Sequence, residues 1–426
     1  MDITLTPSVL CGSVKAIGSK SHAHRLLICA ALSDKSSFIK IETTSKDIEA
    51  TASCLCGLGA EIERTNDGYK VSPISKADSS PAHICAGESG STLRFLLPVI
   101  AALGRDAEIT MKGRLAERPL SPLTEILKEG GITLSEKGSN PLTMTGKLIE
   151  SEFSIAANVS SQFISGLLFA SPLLSEKTVI HLTTPPQSTG YIDMTIDSMR
   201  VFGITVTTDT KDGLLSYTVE GKYKTPDTEL SAEGDWSNAA FWLCAGAIGT
   251  APVAVSGLSA DSLQPDRAII DILKKMGAEV EVSDDKYCVS PSSLTGCTID
   301  VKDCPDLVPA ISLLGSFAMG KTQIVGGKRL KIKESDRIKS VCDMINSLGG
   351  EAEAEDDGLT VHGTGLCGGT VKSYNDHRIA MAAAVASGAV SEDVSIIGAE
   401  AVEKSYPHFF SDLKNITLNF ENLTNG

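Results

Sequence analysis

The segment Gly18-Ser19-Lys20-Ser21-His22-Ala23-His24-Arg25 places two cations and a hydroxyl at the start of a predicted helix. Arg25 lies one turn beyond Ser21 on the same side. A cation–hydroxyl–cation set beside unsatisfied helix amides suits a phosphate or a carboxylate. His22 and His24 form a His-x-His pair, but without acidic or Cys ligands nearby they are expected at the surface or behind a site, not on a metal. A second segment, Lys328-Arg329-Leu330-Lys331-Ile332-Lys333-Glu334-Ser335-Asp336-Arg337-Ile338-Lys339, holds six cations and two acids and leads into an apolar-striped helix. Other cations stand beside turn residues: Arg94, Arg118 before Pro119, Arg378 after Asn375-Asp376-His377, and Lys404 before Ser405-Tyr406-Pro407. With Asp306 and Glu334 they describe a pocket for several negative charges that also contains carboxylates. A carboxylate in such a field stays ionised and can serve as a base.

Two better-known phosphate motifs are approached and rejected. Gly12 to Gly18 followed by Ser19-Lys20-Ser21 is one residue too long for a P-loop and lacks the Gly-Lys-Ser order. Gly363-Thr364-Gly365-Leu366-Cys367-Gly368 leads into the strand-like Thr370-Val371, so no helix N-terminus would receive a pyrophosphate.

The elements that must position these residues repeat. Five segments end an amphipathic helix on a Gly and turn into a short strand, with that Gly at 59, 131, 203, 277 and 349, a period of about seventy residues. Each Gly suits the left-handed position that closes a helix. The helices before them carry apolar stripes: Ile48, Ala52 and Leu55; Ile269, Leu273 and Met276; Ile338, Val341, Ile345 and Leu348. A sixth, degenerate copy is expected to use Asn415 before Ile416-Thr417-Leu418. A second kind of helix, apolar nearly all round, recurs near 22–33, 91–103, 161–174, 237–249, 307–319 and 377–389. Each opens with a polar cluster, such as Ser160-Ser161-Gln162 or Asn375-Asp376-His377-Arg378. Such residues serve as N-caps, and six such N-termini brought together would attract anions. Six copies divide into two domains of three.

The chain has 426 residues and a formal charge of −15, enough for two or three cores and unfavourable to a nucleic-acid partner. No stretch approaches the length of a membrane span. The opening Met1-Asp2-Ile3-Thr4 has neither basic nor apolar leader character, so a cytoplasmic location is expected. Eleven scattered cysteines, none spaced Cys-x-x-Cys, read as reduced core residues.

In this order the motifs resemble the EPSP synthases (3-phosphoshikimate 1-carboxyvinyltransferases), a branch of the enolpyruvyl transferases. The resemblance runs from Gly18-Ser19-Lys20-Ser21 to Glu403-Lys404 through the Glu-Arg-Pro, Ser-Ser-Gln, Lys-x-Lys-Glu-Ser-Asp-Arg and Asn-Asp-His-Arg elements. It implies an α/β (α+β) fold of two domains, each of three βαβαββ repeats around buried parallel helices: an inside-out α/β barrel. Domain 1 would be 1–19 with 233–426 and domain 2 would be 20–232, with the active site in the cleft between them. It implies transfer of the enolpyruvyl group of phosphoenolpyruvate to the 5-hydroxyl of shikimate 3-phosphate by a monomer, without cofactor or metal.

By position, the resemblance implies that Lys20, Ser21, Arg25, Ser160, Ser161, Gln162, Ser188, Tyr191, Asp306 and Lys333 contact shikimate 3-phosphate. Lys20, Gly90, Arg118, Gln162, Arg337, Arg378 and Lys404 would contact phosphoenolpyruvate. Asp306 and Glu334 resemble the catalytic carboxylates, with Lys20 the alternative proton donor. Glu88, Ser91 and Arg329 depart from the family's usual residues, while Gly90 is kept, leaving room for the inhibitor glyphosate. The related UDP-N-acetylglucosamine enolpyruvyl transferases carry a reactive Cys in the loop before the Arg-Pro pair; Met111 to Pro119 contains none. A non-catalytic anion binder would not need carboxylates beside its cations. An RNA-end-processing relative is disfavoured by the charge.

Overall fold

The computed structural model describes residues 1–75 and 80–418. The chain forms two compact units, one of Met1–Ser19 with Glu233–Gly426 and one of Lys20–Ala232. The second contains α1 (Lys20–Leu32), α2 (Lys46–Gly57), α3 (Gly90–Leu103), α4 (Leu123–Glu129), α5 (Ser161–Leu174) and α6 (Thr189–Val201). The first contains α7 (Trp236–Ile248), α8 (Ile269–Lys275), α9 (Val308–Phe317), α10 (Arg337–Ser347), α11 (His377–Ala386) and α12 (Phe409–Asn415).

One motif accounts for the sheets. Strand Ala82–Cys85 leads through α3 to the parallel strand Ala107–Thr110, and α4 then leads to the antiparallel pair Thr133–Leu134 and Leu142–Thr145. The sheet order is first, second, fourth, third. The same βαβαββ order recurs around α5 and α6 and around α9 and α10. The other three copies are assembled from distant segments. Leu230–Ser231 supplies the strand before α1 by pairing parallel with Ser37–Lys40, and Gly12–Lys15 supplies the strand before α7 by pairing with Val253–Ser256. Asp2–Leu5 pairs with Val394–Ile397 and closes the sheet of α11. Residues 17–19 and 233–235 lie side by side, with the Ser19 N–H donating to the Glu233 carbonyl at 2.7 Å and the Asp235 N–H to that of Ile17 at 2.8 Å.

The glycines of the repeat take φ values of +96, +94, +80, +93 and +83°, as a helix-to-strand reversal requires. The expected sixth copy differs. Asn415 is the last residue of α12, Ile416 follows at φ −101°, and neither is left-handed. In this sheet Asp2–Leu5 holds the fourth-strand place beside Val394–Ile397, and the strand after α12, Thr417–Leu418, pairs with Val9–Leu10 in place of adding the outer third strand.

Odd-numbered helices form the cores. All of α11 is buried, and all of α7 except Ile248. Small residues permit such packing: a Cβ on Gly166 of α5 would lie 2.4 Å from the Arg94 carbonyl of α3. The even-numbered helices bury one stripe each, including Ile48, Leu55, Ile269, Leu273, Ile338, Val341 and Ile345. Each such side chain contributes about 1.5–3 kcal/mol on burial. Five cysteines are buried, four are intermediate and two, Cys56 and Cys367, are exposed, so thiols are not confined to the cores. Among the described residues, no helix is long and apolar enough to cross a membrane.

Two glycines separate strain from collision. A Cβ at Gly349 meets nothing nearer than 3.4 Å but sits at φ +83°, whereas one at Gly358 would lie 1.8 Å from the Ile324 carbonyl. Gly349→Ala should therefore cost about 1–2 kcal/mol, and Gly358→Ala distinctly more, as read from urea midpoints. Equal midpoints would contradict this account of the sheet.

Candidate active site

Inner helices start where their caps put them. Ser89 accepts the Thr92 N–H at the head of α3, Ser160 that of Gln162 at α5, Asp235 that of Asn238 at α7, and Asp376 that of Arg378 at α11. In contrast, α9 is entered through the 3-10 turn Pro305–Leu307, without a side-chain cap. Asp306 sits in that turn and spends its carboxylate elsewhere.

In the unit of α7 to α12, Asp306 gathers the cations. Its Oδ1 accepts from Arg337 Nη1 at 2.6 Å and from Lys333 Nζ at 3.1 Å, and its Oδ2 from Arg378 Nη2 at 3.2 Å. Arg378 Nη1 also donates to the Asp306 carbonyl at 3.2 Å. Arg337 reaches three carboxylates, adding Glu334 Oε2 at 2.7 Å and Asp376 Oδ2 at 2.8 Å. Exposure is graded: the side chains of Arg337 and Asp376 are sealed at 1% and 0%, while Asp306, Lys333 and Glu334 keep 19–24%. The buried groups form the base of the cluster, and Asp306, Lys333 and Glu334 stay reachable from solvent.

Burial alone would raise the Asp306 carboxyl, but Arg378, Lys333 and Arg337 outweigh it and hold the group well below the usual carboxylate range. Burial lowers the Lys333 ammonium, with Asp306 opposing. Arg337, although buried, is held protonated by Asp376, Glu334 and Asp306. Lys404 Nζ donates to the Asn375 carbonyl at 2.6 Å, where Asn375 takes φ +56°. The basic run thus divides: Lys333 and Arg337 join the cluster, whereas Lys331 and Lys339 face solvent.

In the unit of α1 to α6, Lys20 begins α1 and pairs with Asp47 at 2.9 Å. Arg25 is buried beneath it, donating to the Ser21 carbonyl at 2.6 Å, the Tyr191 carbonyl at 2.7 Å and Thr195 Oγ1 at 2.9 Å. It stands 5.1 Å from the Phe95 ring centroid, a cation–π contact. Burial lowers its pKa to about 10, so it stays charged at neutral pH. Ser161 begins α5; Ser188, at φ +56°, precedes α6, and Tyr191 is in its first turn. Gly90 begins α3, and a Cβ there would lie 2.8 Å from Arg118 Nη1. The arginine rests on a surface that only glycine leaves open.

Several supporting contacts are marked by no motif, although Arg94 and Gln162 themselves stand out in the sequence. Arg94 donates to Gln162 Oε1 at 2.7 Å and to the Pro119 carbonyl at 3.2 Å, while Gln162 donates to Ser91 Oγ at 2.9 Å. The helix starts of α3 and α5 and the turn after Arg118 are thereby tied together, with the atypical Ser91 as a member. Asp376 and Asp47 are partners of motif cations from distant segments. Ser237 donates to Asp266 and accepts from Arg378 Nη2 at 3.1 Å. Among the described residues the trio of metal-ligating types close enough to share a cation is Glu351, Glu353 and His362, outside both clusters and without His22 or His24.

Ionised carboxylate, fixed cations and capped helix starts can bind anions and move a proton to or from a hydroxyl. A sequence profile of EPSP synthase (3-phosphoshikimate 1-carboxyvinyltransferase) matches residues 5–413. The 3-phosphoshikimate 1-carboxyvinyltransferases of Clostridium kluyveri and Clostridium acetobutylicum are 43% and 41% identical to the chain, with 97% of each chain covered. The solved structure of EPSP synthase from Acinetobacter baumannii superposes with a TM-score of 0.79 at 25% identity, covering 98% of this chain and 99% of that one. An enolpyruvyl transferase from Streptomyces tendae shares the fold at 17% identity, with a TM-score of 0.74 and coverage of 98% and 99%. The chain belongs to the EPSP synthase family of enolpyruvyl transferases.

Proposed function

We propose that this chain transfers the enolpyruvyl group of phosphoenolpyruvate to the 5-hydroxyl of shikimate 3-phosphate, releasing phosphate on the route to chorismate and the aromatic amino acids. The observation that carries the reading is the Asp306 carboxylate, held ionised by Lys333, Arg337 and Arg378 at the entry to an inner helix. Lys20, Ser21, Arg25, Ser160, Ser161, Gln162, Ser188, Tyr191, Asp306 and Lys333 hold shikimate 3-phosphate. Lys20, Gly90, Arg118, Gln162, Arg337, Arg378 and Lys404 hold phosphoenolpyruvate. The enzyme acts as a cytoplasmic monomer.

Asp306 takes the proton of the 5-hydroxyl while that oxygen attacks C2 of phosphoenolpyruvate. Glu334 or Lys20 delivers a proton to C3, giving a tetrahedral intermediate with a methyl group. Loss of phosphate and of one methyl proton then restores the double bond as the enol ether. Arg118, Arg337, Arg378 and Lys404 stabilise charge where it grows on the leaving phosphate. Three cations make Asp306 a weak base in the free protein. Anionic substrates draw on those same cations, which raises the basicity of Asp306 once both are bound.

The reading is tested by phosphate release from phosphoenolpyruvate with shikimate 3-phosphate, against UDP-N-acetylglucosamine as the control acceptor. Release with the shikimate ester alone is expected; silence with it would overturn the proposal. Asp306→Ala should lower kcat by about 10²–10⁴, a far larger factor than the accompanying loss of calorimetric affinity for shikimate 3-phosphate, which Asp306 also contacts. Parallel loss of binding would remove Asp306 from the role of base.

Asp306 also links folding to pH. Its pKa is lower folded than unfolded, so its stabilising contribution is present above the unfolded value of about 3.9 and is lost as pH falls through the folded value. The stability difference between the wild type and Asp306→Asn should therefore be level from about pH 5 to 8 and shrink below about pH 4. A difference that grew on acidification would contradict the ionised state.

A further inference from the structure

His24 on α1 is fully buried, and its Nδ1 lies 2.7 Å from Thr51 Oγ1 on α2. Thr51 Oγ1 lies 2.6 Å from Thr92 Oγ1 on α3, and Thr92 donates its hydroxyl to Ser89 Oγ at 2.7 Å. Ser89 also accepts the Thr92 N–H at 3.2 Å and so caps α3. All four residues have 0% exposure. A single file of hydrogen bonds therefore crosses three helices and stops one residue before Gly90.

The file has a direction. Thr92 spends its proton on Ser89, so its oxygen accepts from Thr51, and Thr51 in turn accepts from His24 Nδ1. The ring must then be the Nδ1–H tautomer with Nε2 bare. Among the described residues Nε2 has no hydrogen-bond partner, and a bare buried acceptor is better tolerated than an unpaired buried N–H. Burial, reinforced by Lys20 and Arg25, holds the ring well below its ordinary pKa and keeps it neutral. A protonated ring would put an N–H on Nε2 with nothing to receive it. Phe95, edge-on with ring centroids 6.5 Å apart, packs against the imidazole.

We infer that His24 is a positioning residue for the turn at Gly90: donation from Nδ1 orders the Thr51–Thr92–Ser89 file, fixes where α3 begins, and so sets Gly90 beneath Arg118. The contact has little slack, because even a Cβ at Gly90 would come within 2.8 Å of the Arg118 guanidinium. In its kinetic consequence the inference rests on the reading that Gly90 and Arg118 hold phosphoenolpyruvate.

Two measurements separate the parts. In the ¹⁵N-labelled wild type, long-range imidazole correlations should show His24 as the neutral Nδ1–H tautomer from about pH 5.5 to 8.5. An Nε2–H tautomer, or titration in that range, would overturn the file. The Gly90 amide resonance should move in His24→Leu and Thr51→Val and return toward its native position in His24→Asn and Thr51→Ser, which keep a donor or hydroxyl in place. An unmoved resonance would end the positioning role whatever the enzyme catalyses. In phosphate-release kinetics, His24→Leu and Thr51→Val should raise KM for phosphoenolpyruvate about tenfold and leave that for shikimate 3-phosphate within about twofold, with His24→Asn and Thr51→Ser largely restored. Equal rises in both KM values, or no rescue, would indicate a general structural defect and overturn the inference. A wild type inactive with this substrate pair would instead sink the proposed function, while the resonances would still decide the role of His24.

Discussion

A guanidinium sealed from solvent and shared by three carboxylates, that of Arg337 with Asp306, Glu334 and Asp376, is the constraint around which its unit is organised. Removing one member of a buried pair typically costs about 3–5 kcal/mol, because the other charge is left without water or partner. The cluster can exist only if the turn before α9, the head of α10 and the cap of α11 all arrive at one place. Asp376 does two jobs in this, receiving Arg337 and capping the helix that carries Arg378. The positions of two cations are therefore coupled through one carboxylate.

The repeat explains how such a site can be built from ordinary parts. Each copy buries one helix on nearly every side and another by a stripe, and its strands close an edge with short connections. A wholly buried helix cannot offer polar side chains along its length without cost, so its chemistry concentrates at its start. Caps occupy some of those positions. Where the cap is absent, as at α9, the acidic residue of the turn is left to interact with cations instead. The Asp306 cluster thus rests on a local exception to the capping seen at α3, α5, α7 and α11.

In the unit of α1 to α6 the supporting interactions are different in kind. Arg94 and Gln162 join two helix starts and a turn by neutral and charge-assisted hydrogen bonds, and the file from His24 to Ser89 runs entirely through neutral groups. Neutral hydrogen bonds between buried groups are directional without bringing uncompensated charge, and chains of them reinforce one another. One unit fixes its exposed groups largely through buried ions, the other largely through buried hydroxyls and amides.

Much of this was legible in the residues. Periodicity placed the helices, because burial of a stripe or of a whole helix leaves a pattern in a linear chain, and the period of the glycines marked the reversals, because few other residues tolerate that backbone. Local composition isolated Lys20, Arg25, Lys333, Arg337 and Arg378 as cations in unusual settings. Pairing was not legible. That Asp376 serves Arg337, that Asp47 meets Lys20, and that Ser91 bonds Gln162 depend on contacts between segments tens of residues apart, for which no local signal exists. Nor could the sequence show that Asn415 would fail to copy the glycines: the strand that follows it, Thr417–Leu418, pairs with Val9–Leu10 from the other end of the chain, outside the sheet of α11. Local sequence determined element type and the inventory of charges, because backbone preference and burial periodicity act over a few residues; tertiary structure decided partners and protonation, because both depend on which distant groups displace water around each side chain.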